Sequence, residues 1–283
     1  MTENEGPRNK PIGVFDSGMG GLTVLRALKA RLPQESFVYL GDTARLPYGS
    51  KSAETVSRYA VQCAQALVCC DIKLLVVACN TASAVALPML QMALKPIPVI
   101  GVIEPGADAA VKAAPSGRIA VIATEGTVKG GAYVRAIHAR SRLATVVQQA
   151  CPLFVALAEE GLVEGPIAEL AAKRYLDPLF VEASLWPDCI VLGCTHFPVL
   201  KAIIGKVVGP SIALVDSAES TAEAVSDLLS RRALARADGE QTVRFLATDS
   251  PERFASVGEI FLGEKIPSSA VELVDLQQIQ AAG

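Results

Sequence analysis

The chain has 283 residues, of which 51% are hydrophobic and 19% charged, which suits one large or two ordinary domains and argues against wholesale disorder. Lys and Arg number 26 against 29 Asp and Glu, a formal net charge of −3 that offers no broad basic face for nucleic acid. The polar, mixed-charge start MTENEGPRNK lacks the order of a secretory leader, and no apolar run approaches the ~20 residues of a spanning helix, so a soluble cytoplasmic protein without a membrane partner is expected.

Short apolar runs recur at 12–15, 37–40, 74–78, 99–103, 118–123, 190–192, 212–215, 242–246 and 271–274. They are apolar on both faces, the pattern of buried strands in a parallel sheet. Ala-rich helical stretches at 52–70, 107–114 and 220–236 lie between them. This alternation predicts an α/β fold.

Two proline-bearing breaks, Lys95-Pro96-Ile97-Pro98 and Val208-Gly209-Pro210, suggest a discontinuous first domain (1–99 and 213–283) with a second (100–212) inserted. One continuous sheet with Pro-containing loops is the competing reading. A faint internal echo supports two related halves. The run before Cys79-Asn80-Thr81 parallels the one before Cys194-Thr195-His196. The run before Asp16-Ser17-Gly18 parallels the one before Thr124-Glu125-Gly126, both at offsets of roughly 110 residues.

After the first run, Asp16-Ser17-Gly18-Met19-Gly20-Gly21 opens a helix at Leu22. The dinucleotide pattern fails because Thr23 takes the third glycine position, and Asp16 would repel a pyrophosphate. A small ammonium carboxylate fits better, with Asp16 for the amine and Ser17 and turn N–H groups for the carboxylate. Asp16 reads equally well as a helix cap. The loop at 41–50 offers Tyr48 and Gly49 as donors, with Ser50 as a cap for the next helix, and Thr124 and Thr127 add hydroxyls later.

The seven cysteines form no disulfide framework and no C-x-x-C pair, and with two histidines no metal site is expected. Cys63, Cys69, Cys70 and Cys189 read as buried small hydrophobes. Cys79 and Cys194 differ: each follows a strand and precedes a helix, where parallel sheets bind ligands. Helix N-termini there are expected to lower a thiol pKa, and Asn80, Thr81, Ser83 and Thr195 can receive a carboxylate. Either turn alone could be structural. Together, two thiols suit inversion of a carbon centre, one removing a proton while the other delivers one from the opposite face. His196 reads as a relay for Cys194 or as a packed residue.

The segments FDSGMGGLTVL, GDTARLPYGSKS, ACNTAS, VIEPG and LGCTHFPVL resemble those of bacterial glutamate racemases, in the same order over most of the chain. The resemblance implies two pseudo-symmetric α/β domains with the active site in the cleft between them. It also implies cofactor-independent interconversion of L- and D-glutamate, supplying D-glutamate for peptidoglycan. Cys79 and Cys194 then match the catalytic thiols, and Asp16, Ser17, Tyr48, Gly49, Asn80, Thr81, Thr127 and Thr195 the substrate contacts. Asp16 and His196 match groups that assist the thiols, and Glu159, chosen over Glu160, matches a further assisting carboxylate. Ala156, Gly130 and Ala123 depart from the family pattern, where Pro, Ser and Gly are usual. The expected partner is glutamate, and a homodimer is the assembly considered. The alternatives are an aspartate racemase of the same superfamily, a Cys194–His196 hydrolase, and a silent amino-acid binding protein.

Overall fold

A computed structural model describes residues 6–277. In chain order the first half runs β1 (Ile12–Asp16), α1 (Leu22–Arg31), β2 (Phe37–Gly41), α2 (Ala53–Val68), β3 (Leu74–Val77), α3 (Asn80–Ala93), β4 (Val99–Gly101) and α4 (Ile103–Ala113). There follow β5 (Arg118–Ala123), α5 (Glu125–Gly130), α6 (Ala132–Arg140), β6 (Thr145–Ala150), α7 (Pro152–Glu159), α8 (Gly165–Leu176) and β7 (Cys189–Gly193). The chain continues through α9 (Lys201–Val208), β8 (Ala213–Asp216), α10 (Ser217–Arg231), β9 (Val243–Ala247), α11 (Pro251–Leu262) and β10 (Val271–Leu273).

The strands form two sheets, one of six strands ordered β10-β9-β2-β1-β3-β4 and one of four ordered β6-β5-β7-β8. Every pairing is parallel. The strands β2-β1-β3-β4 and β6-β5-β7-β8 share one order, so the internal echo in the sequence corresponds to a repeated topology. β4 pairs with β3 and β8 with β7, so the chain crosses between sheets after Gly101 and after Asp216. Both points lie a little beyond the limits read from the prolines.

The sequence reading did not anticipate β6. It is an edge strand with no partner beyond β5, partly exposed along its length, and Gln148 and Gln149 break its apolar run. The run at 99–103 is strand only to Gly101. Val102 caps α4, whose first turn accommodates Pro105 because the N–H that proline lacks has no helical acceptor there. Ser52, not Ser50, caps α2 by accepting from the Thr55 N–H. Cys63 and Cys189 are buried as expected, whereas Cys69 is exposed and Cys70 half-buried, because α2 ends at Val68 and both fall in the turn beyond it.

Three apolar clusters fill the molecule. One lies under α2 and α3 on the larger sheet, and another under α7, α8 and α9 on the smaller. The third is continuous across both sheets, joining Val14 and Leu25 to Val121, Tyr133 and Val225. α1 packs on α10, α10 on α4, and α4 on α6, so this cluster fastens the two sheets together, and Thr195, after β7, reaches Asp16, at the end of β1.

Candidate active site

In each sheet the strand order reverses between two neighbours, β1 and β3 in the larger and β5 and β7 in the smaller. Loops leaving such neighbours diverge and open a crevice at their carboxyl ends. Asp16, Ser17 and Cys79 stand at the first crevice, and Thr124, Cys194 and Thr195 at the second.

Asp16 is fully buried. One carboxylate oxygen accepts the Gly18 N–H at 3.0 Å, and the other receives the Thr195 hydroxyl at 3.4 Å from the opposite half. It does not cap α1, whose cap position is Gly21. Burial raises its pKa, opposed by the charge of His196 and by backbone donors of the glycine turn. Cys79 caps α3, its sulfur accepting the Ala82 N–H at 3.4 Å and lying 3.6 Å from the Ser17 hydroxyl. Burial, then the charge of Asp16, push this thiol up to about 12, outweighing the Ala82 donor. The lowering expected from the helix N-terminus is therefore reversed: loss of water costs the thiolate more than one backbone hydrogen bond returns.

In the smaller sheet's half, the Cys194 sulfur lies 3.8 Å from His196 Nδ1, and His196 Nε2 lies 3.1 Å from Glu159 Oε1. The ring of Phe261 meets the imidazole edge-on, with centroids 5.1 Å apart. Burial disfavours the imidazolium, but hydrogen bonds to Cys194 and Glu159 prevail and raise the His196 pKa to about 10. Burial opposes ionisation of Glu159, yet His196 and Arg253 together hold its pKa below the usual range. Glu160 is exposed, so Glu159 is the carboxylate placed beside the imidazole.

Other groups bridge the two halves. The hydroxyls of Thr81, Thr124 and Thr127 form a triangle with sides of 3.1 to 3.3 Å. Tyr133 donates its hydroxyl to Asn80 Oδ1 at 2.8 Å, which leaves the buried Asn80 Nδ2 without a partner. A buried amide donor left unpaired is costly, so its natural complement is an acceptor on a bound molecule. Thr23 lies within hydrogen-bond reach of the carbonyls of Gly20 and Thr195, joining the glycine turn after β1 to the Cys194 turn after β7. A cavity of about 350 Å³ opens beside this cluster, lined by Pro47, Gly49, Thr124, Val155, Ala156 and Glu159 among others.

Two expected donors are otherwise engaged. The Tyr48 hydroxyl donates to Asp42, itself gripped by Arg45 and Thr248, so the phenol serves the larger sheet's half. The Ser83 hydroxyl donates to Val77 O and receives the Val102 N–H, fixing α3 to its strand. Gly49 does reach the cleft wall: a Cβ there would sit 2.7 Å from Thr124 Cβ. Tyr133, Thr23 and Arg253 were not singled out by sequence. They project from helices, and nothing in their local pattern separates them from core or surface residues. Among the described residues, no cluster of three or more His, Cys, Asp or Glu could hold a metal ion, and no helix is long and apolar enough to cross a membrane.

A family model described as Asp/Glu/Hydantoin racemase matches residues 21–225. The chain is 53% identical over 258 residues to a glutamate racemase of Geobacter metallireducens, covering 91% of this chain and 94% of that protein. Among solved structures, a glutamate racemase isoform from Bacillus anthracis superposes with a TM-score of 0.90 at 39% identity, over 95% of this chain and 98% of that one. The Francisella tularensis glutamate racemase, solved with D-glutamate, gives a TM-score of 0.88 at 38% identity over 96% and 99%. Matches of this extent run through both sheets and both thiol-bearing turns, and the chain belongs to the Asp/Glu/hydantoin racemase family, a family of isomerases.

Proposed function

We propose that the protein interconverts L- and D-glutamate by passing the α-proton between Cys79 and Cys194 on opposite faces of the substrate. The observation that carries this reading is the placement of the two thiols at equivalent switch points, with Asp16 and Thr195 in contact between them. At neutral pH burial and the charge of Asp16 keep Cys79 in the neutral form, the acid of the free enzyme, while the contacts with Cys194 and Glu159 favour the imidazolium form of His196 beside Cys194. Burial is the larger cause of the Cys79 shift and the charge of Asp16 the second; the substrate ammonium beside Asp16 offsets the second and so moves Cys79 toward the thiolate it must form as base in the reverse direction.

The α-carboxylate is assigned to Asn80 Nδ2, the N-terminus of α3 and Thr195. The side-chain carboxylate is assigned to the hydroxyls of Thr81, Thr124 and Thr127 with the backbone N–H groups of Tyr48 and Gly49. On this reading the enzyme works without a cofactor as a cytoplasmic homodimer, and its product D-glutamate serves peptidoglycan synthesis.

The direct test follows each glutamate enantiomer in D₂O by optical rotation and proton NMR. Deuterium is expected at the α-carbon of the product while the remaining substrate keeps its protium early in the reaction. Ammonia release, or binding without α-exchange, would contradict the proposal. Asn80→Ala is expected to raise KM roughly ten- to a hundredfold with a smaller change in kcat, the worth of one hydrogen bond to a charged group. A KM within twofold of wild type would remove Asn80 from carboxylate recognition.

A further inference from the structure

One charged side chain beside the site has no place in the scheme above. Arg253 sits in the first turn of α11, which follows β9 of the larger sheet. Its guanidinium reaches across the cleft to Glu159, at the end of α7, with Nη2 3.6 Å from Oε2. Oε1 of the same carboxylate faces His196 Nε2 at 3.1 Å, and His196 Nδ1 faces the Cys194 sulfur at 3.8 Å. Each Glu159 oxygen therefore has its own cationic partner. Phe261, from the same helix α11, braces the imidazole edge-on.

The first turn of a helix is electrostatically unfavourable for a cation, so helix stability does not explain an arginine at this position. Glu159 also lines the cavity at the mouth of the site, where its carboxylate could turn toward water. The one Nη2–Oε2 approach is a charge contact rather than a bidentate pair, so what it requires at this point is a cation.

We propose that Arg253 is a positioning residue for proton transfer at Cys194: by engaging Oε2 it keeps Oε1 on His196, and His196 against the thiol. The proposal rests on the two-thiol reading and adds to it a contact, made across the cleft, that tunes one thiol and not the other. Among the described residues Cys79 has no counterpart to this chain; the groups that act on it are Asp16, the Ala82 N–H, the Ser17 hydroxyl and Cys194.

The test compares wild type with Arg253→Ala and Arg253→Lys, using α-protiated and α-deuterated glutamate of both configurations. In Arg253→Ala, kcat/KM is expected to fall about fivefold, the factor appropriate to a partly exposed ion pair. The fall must be equal in both directions, because a catalyst cannot move the equilibrium. The α-deuterium isotope effect on kcat/KM should then rise for the enantiomer whose hydrogen Cys194 removes and fall for the other. The Cys79→Ser variant identifies that enantiomer, since Cys194 alone should exchange only one. Arg253→Lys should recover most of the loss.

A drop in kcat/KM with both isotope effects unchanged, or shifted the same way, would mean a structural role only and would overturn the proposal. Wild-type enzyme that shows no α-hydrogen isotope effect and no solvent exchange would instead overturn the two-thiol reading beneath it.

Discussion

Replacing either Cys79 or Cys194 with serine is expected to lower racemisation by about 10³-fold or more, the contribution of a positioned acid or base. Serine occupies nearly the volume of cysteine and keeps a cap for α3, so neither variant should lose its fold. What changes is acidity: a hydroxyl holds its proton far more tightly than a thiol and cannot serve as base in a buried site. Each variant still has one competent thiol. Cys79→Ser and Cys194→Ser should therefore each exchange the α-hydrogen of a single enantiomer, with opposite preference. Turnover near the wild-type value in either variant would sink the mechanism, and a hydrolase built on Cys194 and His196 predicts that outcome for Cys79→Ser.

Gly20→Ala is expected to cost on the order of 10²-fold in activity through misplacement of the catalytic groups. A Cβ at Gly20 would lie 2.5 Å from both Cε1 and Nδ1 of His196 and 2.6 Å from the Thr195 hydroxyl. These are not loose ends that can swing aside. His196 is buried, held at Nε2 by Glu159 and backed by Phe261, and the Thr195 carbonyl lies 3.0 Å from the Thr23 hydroxyl. The imidazole must move away from Cys194 or the glycine turn must move away from Asp16, and either displacement disturbs the site. Gly205→Ala, whose Cβ would meet only Leu214 Cδ1 at 3.6 Å, is the control and should leave turnover within about twofold. Wild-type kinetics in Gly20→Ala would show that the turn yields freely.

These residues were legible from sequence to different degrees, for physical reasons. A strand buried on both faces shows as a continuous apolar run, and in an α/β sheet the residue after it falls where ligands bind. Asp16, Cys79, Thr124 and Cys194 could be found in that way. β6 could not, because an edge strand with Gln148 and Gln149 has no such run. Roles that depend on which side-chain contacts form on folding were also hidden. The Tyr48 hydroxyl is taken by Asp42, six residues earlier, and Asn80 Nδ2 is left unpaired by the way Tyr133 meets the other end of the amide. The sign of the Cys79 shift was misread for a related reason. The helix N-terminus is visible in the order of residues, whereas burial and the nearness of Asp16 arise only on folding.

The apolar cluster shared by the two sheets bears on how the protein comes apart. Each sheet has its own outer layer of helices, but the inner layer, with α1, α4, α6 and α10, belongs to both. Pulling the sheets apart would expose that layer on each, so neither half retains a complete hydrophobic interior alone. Separating the two sheets, and with them the two thiol-bearing turns, is therefore opposed by the apolar area that would meet water on both sides. The spacing between the two cysteine turns is thus set by the same buried layer that holds the sheets together, and not by the turns themselves.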